Sequence, residues 1–244
     1  AARAATIMRR LATLQLATVL TLCARVHGRS PAPTPAEFTI NCAKLVTPVD
    51  SPPIRSPQRV HSLIASMVRG KELVEIGTRN GDGMDCFART ASKATALEIE
   101  RAYCRSLEYR AWLLNSSNAG TFAVSCQAYQ TRCPDADVYT WWEQLPHLRN
   151  HGALDHLKRL HEEGRIRRNA EAIVIFDTSW RTDMATLASL KYFAGDSLRR
   201  VQFNESATCA RIYAGRLPTQ PRFCTRASGA FVVARIPLAR YRPK

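Results

Sequence analysis

The chain has 244 residues, 45% of them hydrophobic and 23% charged, which leaves room for one good-sized core rather than two, after a flexible start. Its formal charge of +15 is uneven: residues 1–70 carry 9 basic against 2 acidic side chains, residues 199–244 carry 10 against 1, and residues 71–198 carry 16 against 17. Basic ends can neutralise phosphates or meet an acidic membrane or glycan, but no aromatic-interleaved basic stripe or RNA-binding signature accompanies them. A solvated, arginine-rich surface is therefore the simpler reading.

In chain order, residues 1–28 read as an address. Arg9-Arg10 precedes the apolar run Leu11 to Ala24, which has the length of a signal-peptide core and is short for a membrane span. Met8 would then be the initiator. An uncleaved anchor, an organelle transit peptide and a plain amphipathic helix compete with this reading. Residues 29–52, with Ser30-Pro31-Ala32-Pro33-Thr34-Pro35, read as an extended linker, and residues 53–244 as the folded domain. Ser56 as N-cap and Pro57 at the first helical position predict a helix carrying Val60, Ile64, Met67 and Val68, ending before Gly70.

A strand through Leu73 to Ile76 follows, then the glycine-rich Gly77 to Gly83. A second strand, Lys93 to Glu100, leads into a helix from about Arg101 to Leu114. Strands at Thr121–Ser125 and Ala136–Trp141, a helix burying Leu154, Leu157 and Leu160, and the uninterrupted apolar run Ala172–Phe176 come next. A helix near Thr182–Phe193 and β-rich segments at Val201–Phe203, Ala210–Tyr213 and Phe231–Ile236 complete the pattern. Such alternation predicts an α/β fold: a doubly wound, mostly parallel seven-stranded sheet with an antiparallel edge hairpin.

The chemistry concentrates between Val74 and Glu98. A strand ending in Glu75, followed by Gly77, Gly81 and Gly83, lets the backbone turn sharply and approach a ligand. Twenty-one residues after Gly77, Glu98 ends the next strand, where a carboxylate can accept both hydroxyls of a ribose. The nicotinamide frame is wrong, because Gly81-x-Gly83-x-x-Cys86 puts cysteine at the third small position and starts late. No Gly-Lys-Ser/Thr follows, which excludes a P-loop.

These residues resemble the first motif of the class I S-adenosylmethionine-dependent methyltransferases, with Glu75, Gly77, Gly81 and Gly83 as the acid-x-Gly loop and Glu98 as the ribose acid. In strand and helix order the likeness runs from about Lys71 to Ile236. It implies a Rossmann-like methyltransferase fold, S-adenosylmethionine as cofactor, and Ser125 and Cys126, after the third strand, as neighbours of the adenine. Glu98→Ala would weaken cofactor binding and leave the fold intact. Asp177, at the fifth strand tip, is a candidate to orient an acceptor or act as base, or else to cap the next helix. The fourth strand, with Thr140-Trp141-Trp142-Glu143, offers tryptophan where the catechol-type enzymes place a metal-binding acid, so no metal is expected.

Loss of a leader containing Cys23 would leave seven of eight cysteines, hence at least one unpaired within the chain. There is no Cys-x-x-Cys pair, and the series His147, His151, His156 and His161 lacks a zinc spacing. Asn115 and Asn204 head glycosylation triplets. The sequence thus reads as a methyltransferase entering the secretory pathway, with a small molecule or glycan as O-methyl acceptor. A catalytically inactive cofactor-binding domain and a nucleic-acid methyltransferase or binder using the basic ends are the alternatives.

Overall fold

The computed structural model describes residues 40–46, 57–142, 148–177, 194–204 and 228–243, all within one unit spanning Ala32–Lys244. Helices are numbered among these residues. Seven strands form one sheet: β1 (Glu72–Ile76), β2 (Lys93–Leu97), β3 (Phe122–Ser125), β4 (Val138–Trp142), β5 (Glu171–Asp177), β6 (Arg199–Asn204) and β7 (Ser228–Pro237). Their order is β3-β2-β1-β4-β5-β7-β6, with β1 to β5 parallel and β7 antiparallel to both β5 and β6. The doubly wound sheet and its antiparallel edge are as the sequence predicts. The expected strand at Ala210–Tyr213 and helix at Thr182–Phe193 lie outside the described residues, as does the apolar run Leu11 to Ala24. No helix among the described residues is long and apolar enough to cross a membrane.

Both faces of the sheet are covered, which explains why β5 is apolar without alternation. Ile173 and Ile175 face one layer with Val60 and Ile64 of α2 (Gln58–Met67), Met84 and Phe87 of α3 (Asp82–Phe87), and Leu107 and Leu114 of α4 (Arg101–Ser116). Ala172 and Val174 face the other, where α5 (Leu148–Glu162) buries Leu154, Leu157 and Leu160. Each such leucine contributes roughly 1.5–3 kcal/mol by leaving water. Pro57 is the N-cap of α2 rather than its first helical residue, and makes no side-chain cap bond. Helix α5 starts earlier than the Leu154 pattern suggests.

Part of the segment read as linker is core. Asn41 caps a short helix, α1 (Cys42–Leu45), by accepting from the Ala43 N–H at 3.1 Å, and Cys42 and Val46 are buried. Cys42 is joined to Cys86 of α3 by a disulfide, and its N–H donates to Ser62 Oγ of α2 at 3.0 Å. Proline density next to this stretch suggested an extended chain; covalent and apolar contacts from residues far ahead in the sequence decide otherwise.

Ion pairs gather at the amino edge of the sheet. Arg167 meets Glu72 at 2.9 Å, Asp137 at 2.8 Å and Asp135 at 3.3 Å, while Glu171 at the head of β5 accepts from Lys71 and Arg235. At the same level Asn115 locks α4 to β3: its side chain donates to Phe122 O at 2.8 Å and accepts from Phe122 N at 2.9 Å. The amide nitrogen that a glycan would need at this triplet is thereby engaged in the fold. The opposite, carboxyl edge is left for other work.

Candidate functional site at the carboxyl edge

Strand order reverses between β1 and β4, so the chain leaves β1 toward β2 and leaves β4 toward β5, opening a crevice at their carboxyl ends. The glycine loop occupies it. Glu75 is buried at 2% exposure and its carbonyl accepts from Thr78 Oγ1 at 3.1 Å. Gly77 is exposed, has φ of 71°, and a Cβ added to it would meet nothing within 4 Å. This is the place where the backbone turns under open space, as a ligand cradle requires.

The other two glycines serve the protein's own packing. Gly81 has φ of 82°, and a Cβ there would lie 2.5 Å from Leu107 Cδ2 of α4; at Gly83 it would lie 2.9 Å from the Phe87 ring and 3.1 Å from His61 Nε2. Arg79, two residues ahead of Gly81, holds φ of 57° with a side chain, a conformation costing roughly 1–2 kcal/mol for a non-glycine residue. Its guanidinium reaches Tyr103 of α4, donating to the hydroxyl at 3.1 Å and lying 5.5 Å from the ring centre. Arg110 of α4 bridges Asp82 at 2.9 Å and Asp85 at 3.0 Å, so helices α3 and α4 hold the loop between them.

Glu98 follows β2 at 5% exposure, and its carboxylate is already occupied. Oε2 accepts from Arg79 N at 2.8 Å; Oε1 accepts from Ile99 N at 2.8 Å and Glu100 N at 2.9 Å. A carboxylate offers about four acceptor sites, so about one remains for a ligand hydroxyl, not the two that the sequence reading assigned. Glu98 is therefore also a structural residue, tying the glycine loop to the β2 tip. Glu100 is turned to α4 as its N-cap.

One residue that sequence reasoning missed stands next to it. Ile99 is 73% exposed, an aliphatic side chain in water immediately beyond the buried acid. An apolar surface beside a hydroxyl acceptor suits the flat face of a base. The signal was present, since Glu98-Ile99-Glu100 places one apolar residue between two acids where the strand has already ended. Ser125 lies alongside: its carbonyl accepts from Glu98 N at 3.2 Å and its hydroxyl from Gln127 Nε2 at 2.9 Å. Cys126, expected beside the adenine, forms a disulfide with Cys104 in α4 and so staples the β3 tip to that helix.

Across the crevice, Trp141 is buried in the layer facing α5, while Trp142, half-buried, turns to the layer of α2 and packs edge-on to His61 and Phe231. Asp177 closes β5 opposite Phe231 in the ladder; its side chain, like His147, lies outside the described features. Among the described residues no group of three or more His, Cys, Asp or Glu side chains is arranged to hold a metal. His156 packs on Tyr129, and His161 bonds the Arg168 carbonyl at 2.9 Å. Cys133 is a free thiol that burial pushes up to about 12 against the opposing pull of Arg165, so it is not a nucleophile at neutral pH.

No family model matches this sequence, and no curated protein matches it. Solved structures do. A proposed RNA methyltransferase from Pyrococcus horikoshii superposes with a TM-score of 0.50 at 12% identity, covering 83% of this chain and 96% of that one. The fold is that of the class I methyltransferases. The C-terminal domain of precorrin-6Y C5,15-methyltransferase from Rhodobacter capsulatus is also similar (TM-score 0.46, 14% identity, 72% and 89% covered). So is magnesium protoporphyrin IX methyltransferase from Synechocystis PCC 6803, solved with S-adenosylmethionine bound (TM-score 0.46, 12% identity, 72% and 78% covered).

Proposed function

We propose that this chain is an S-adenosylmethionine-dependent methyltransferase. The observation that carries the reading is the exposed, positive-φ Gly77 at the strand-order switch, one strand away from the buried Glu98 carboxylate and the exposed Ile99. In this reading the ribose meets the remaining acceptor site of Glu98, the base lies on Ile99 toward Ser125, and the sulfonium sits over Gly77. Methyl transfer is an in-line displacement, so positioning is the main demand, with a base needed if the acceptor is a hydroxyl. Asp177, at the end of β5, is the candidate for that base. Thermal unfolding with added nucleotides tests the reading: S-adenosylhomocysteine at millimolar concentration is expected to raise the midpoint and NAD to leave it unchanged. Equal stabilisation by NAD, or none by the sulfur nucleotide, would count against it.

For the acceptor, the preferred class is a small molecule or glycan hydroxyl. Support comes from the leader-like start and from the two disulfides among the described residues, since such bonds persist in oxidising compartments such as the secretory pathway. A reporter fused to residues 8–40 is expected to be membrane-protected and processed. Leu16→Arg should abolish this, since a charge in the apolar run opposes insertion by roughly 2.5–3.5 kcal/mol. Cytosolic retention of the unaltered fusion counts against secretion. A nucleic-acid acceptor is the second reading, supported by the basic ends and by the RNA methyltransferase proposed for the archaeal neighbour. It predicts salt-dependent RNA binding.

A further inference from the structure

We propose that His61 is a cofactor-binding residue that meets the amino-acid end of the bound sulfur nucleotide; this rests on the methyltransferase reading above. The starting point is an anomaly. His61 is fully buried, and among the described residues neither ring nitrogen has a hydrogen-bond partner. A neutral imidazole presents one donor and one acceptor, and buried polar groups in folded proteins are otherwise almost always paired. Burial holds the imidazole pKa down to about 3, so the ring is neutral and keeps one of each across the physiological range.

Its place in the fold says which ligand group is near. Helix α2 ends at Met67, turns at Gly70 and feeds β1 from Glu72, so it runs back along the sheet and its first turn, with His61, lies at the carboxyl edge. The ring contacts confirm this: His61 packs edge-on to Phe87 at 5.5 Å and to Trp142, the last residue of β4, at 5.4 Å. Nε2 lies 3.1 Å from where a Cβ on residue 83 would stand, so the imidazole fills the place that a side chain of the loop itself would take. Because residue 83 is glycine, the polar atom offered at this point of the loop belongs to His61.

A nucleotide whose base lies by β3 and whose ribose lies at the β2 tip must extend the other way, over β1 toward β4. Two strand spacings, about 10 Å, separate β2 from β4. That is the span from a ribose to the amino-acid head of this cofactor, and it ends at His61 and Trp142. The head is a zwitterion: its carboxylate accepts the ring N–H, which satisfies one of the two orphaned atoms.

Calorimetric titration with S-adenosylhomocysteine and with 5′-methylthioadenosine, which lacks the amino-acid head, tests the assignment on the full chain with disulfides intact. His61→Leu is expected to weaken S-adenosylhomocysteine binding about tenfold or more while methylthioadenosine affinity stays within about twofold. Equal loss for both nucleotides, or loss for neither, overturns it, because a merely structural histidine cannot distinguish them. Should His61→Leu fail to fold, the wild-type protein labelled with 15N-histidine replaces it. S-adenosylhomocysteine must then shift the His61 ring nitrogens and methylthioadenosine must not; absence of that difference overturns the assignment. Wild-type protein that binds neither nucleotide overturns the cofactor reading and this assignment together.

Discussion

Glu98→Ala is expected to cost the protein both nucleotide affinity and fold stability. The carboxylate accepts three backbone N–H groups, and hydrogen bonds to a charged acceptor contribute about 1.5–3 kcal/mol when the donor has no alternative. Ile99 and Glu100 are exposed, so water can replace the carboxylate at their N–H groups; Arg79, half-buried in a strained loop conformation, has less recourse. A loss of about 2–3 kcal/mol in unfolding free energy follows. Calorimetry should show S-adenosylhomocysteine affinity reduced by a similar amount, because the loop that shapes the cradle is released along with the hydroxyl acceptor. Glu98→Gln keeps one oxygen and the shape, and should retain more of both. An unchanged urea midpoint in Glu98→Ala would restrict the residue to ligand binding, as the sequence alone suggested.

Removing the Cys42–Cys86 disulfide by paired serine substitution should be the most destabilising change of all. The bond closes a loop of sequence separation 44, for which the chain-entropy relation gives about 4 kcal/mol; Cys104–Cys126, at separation 22, gives about 3 kcal/mol. For a domain of this size each kcal/mol moves the melting midpoint by roughly 2–4 °C. Calorimetric scans of Cys42→Ser/Cys86→Ser should therefore fall by about 10 °C or more. Cys104→Ser/Cys126→Ser should fall less but lose more nucleotide affinity, since that staple holds the β3 tip next to Ser125 and Glu98. Midpoints unmoved by either pair would mean that these bonds are not formed in the mature protein.

Much of the fold was legible in the amino-acid order because its signals are local. A β-rich or apolar run needs only its own residues to declare a strand, and β1 to β5 lie where those runs are. The glycine loop was legible for the same reason: three glycines in seven positions after a buried strand can hardly be anything but a tight turn, and Gly77 does turn under open space. What each glycine is for was not legible. Gly81 and Gly83 are small because Leu107, Phe87 and His61 press on them; Phe87 belongs to the same helix as Gly83, but Leu107 and His61 come from other helices 26 and 22 residues away.

The sequence by itself determined the doubly wound sheet, its antiparallel edge and the glycine turn after β1, since backbone conformation and hydrophobic periodicity act over a few positions. Only the tertiary structure decided that Cys42 pairs with Cys86 and Cys104 with Cys126, that Cys42 and Val46 belong to the core, and that Ile99 faces water. It also decided that Glu98 spends most of its acceptor capacity on backbone and that His61 is buried against Gly83, with neither ring nitrogen hydrogen-bonded among the described residues. Those outcomes depend on which surfaces meet when α2, α3 and α4 fold onto one face of the sheet, and a contact between residues distant in the chain leaves no periodicity in it.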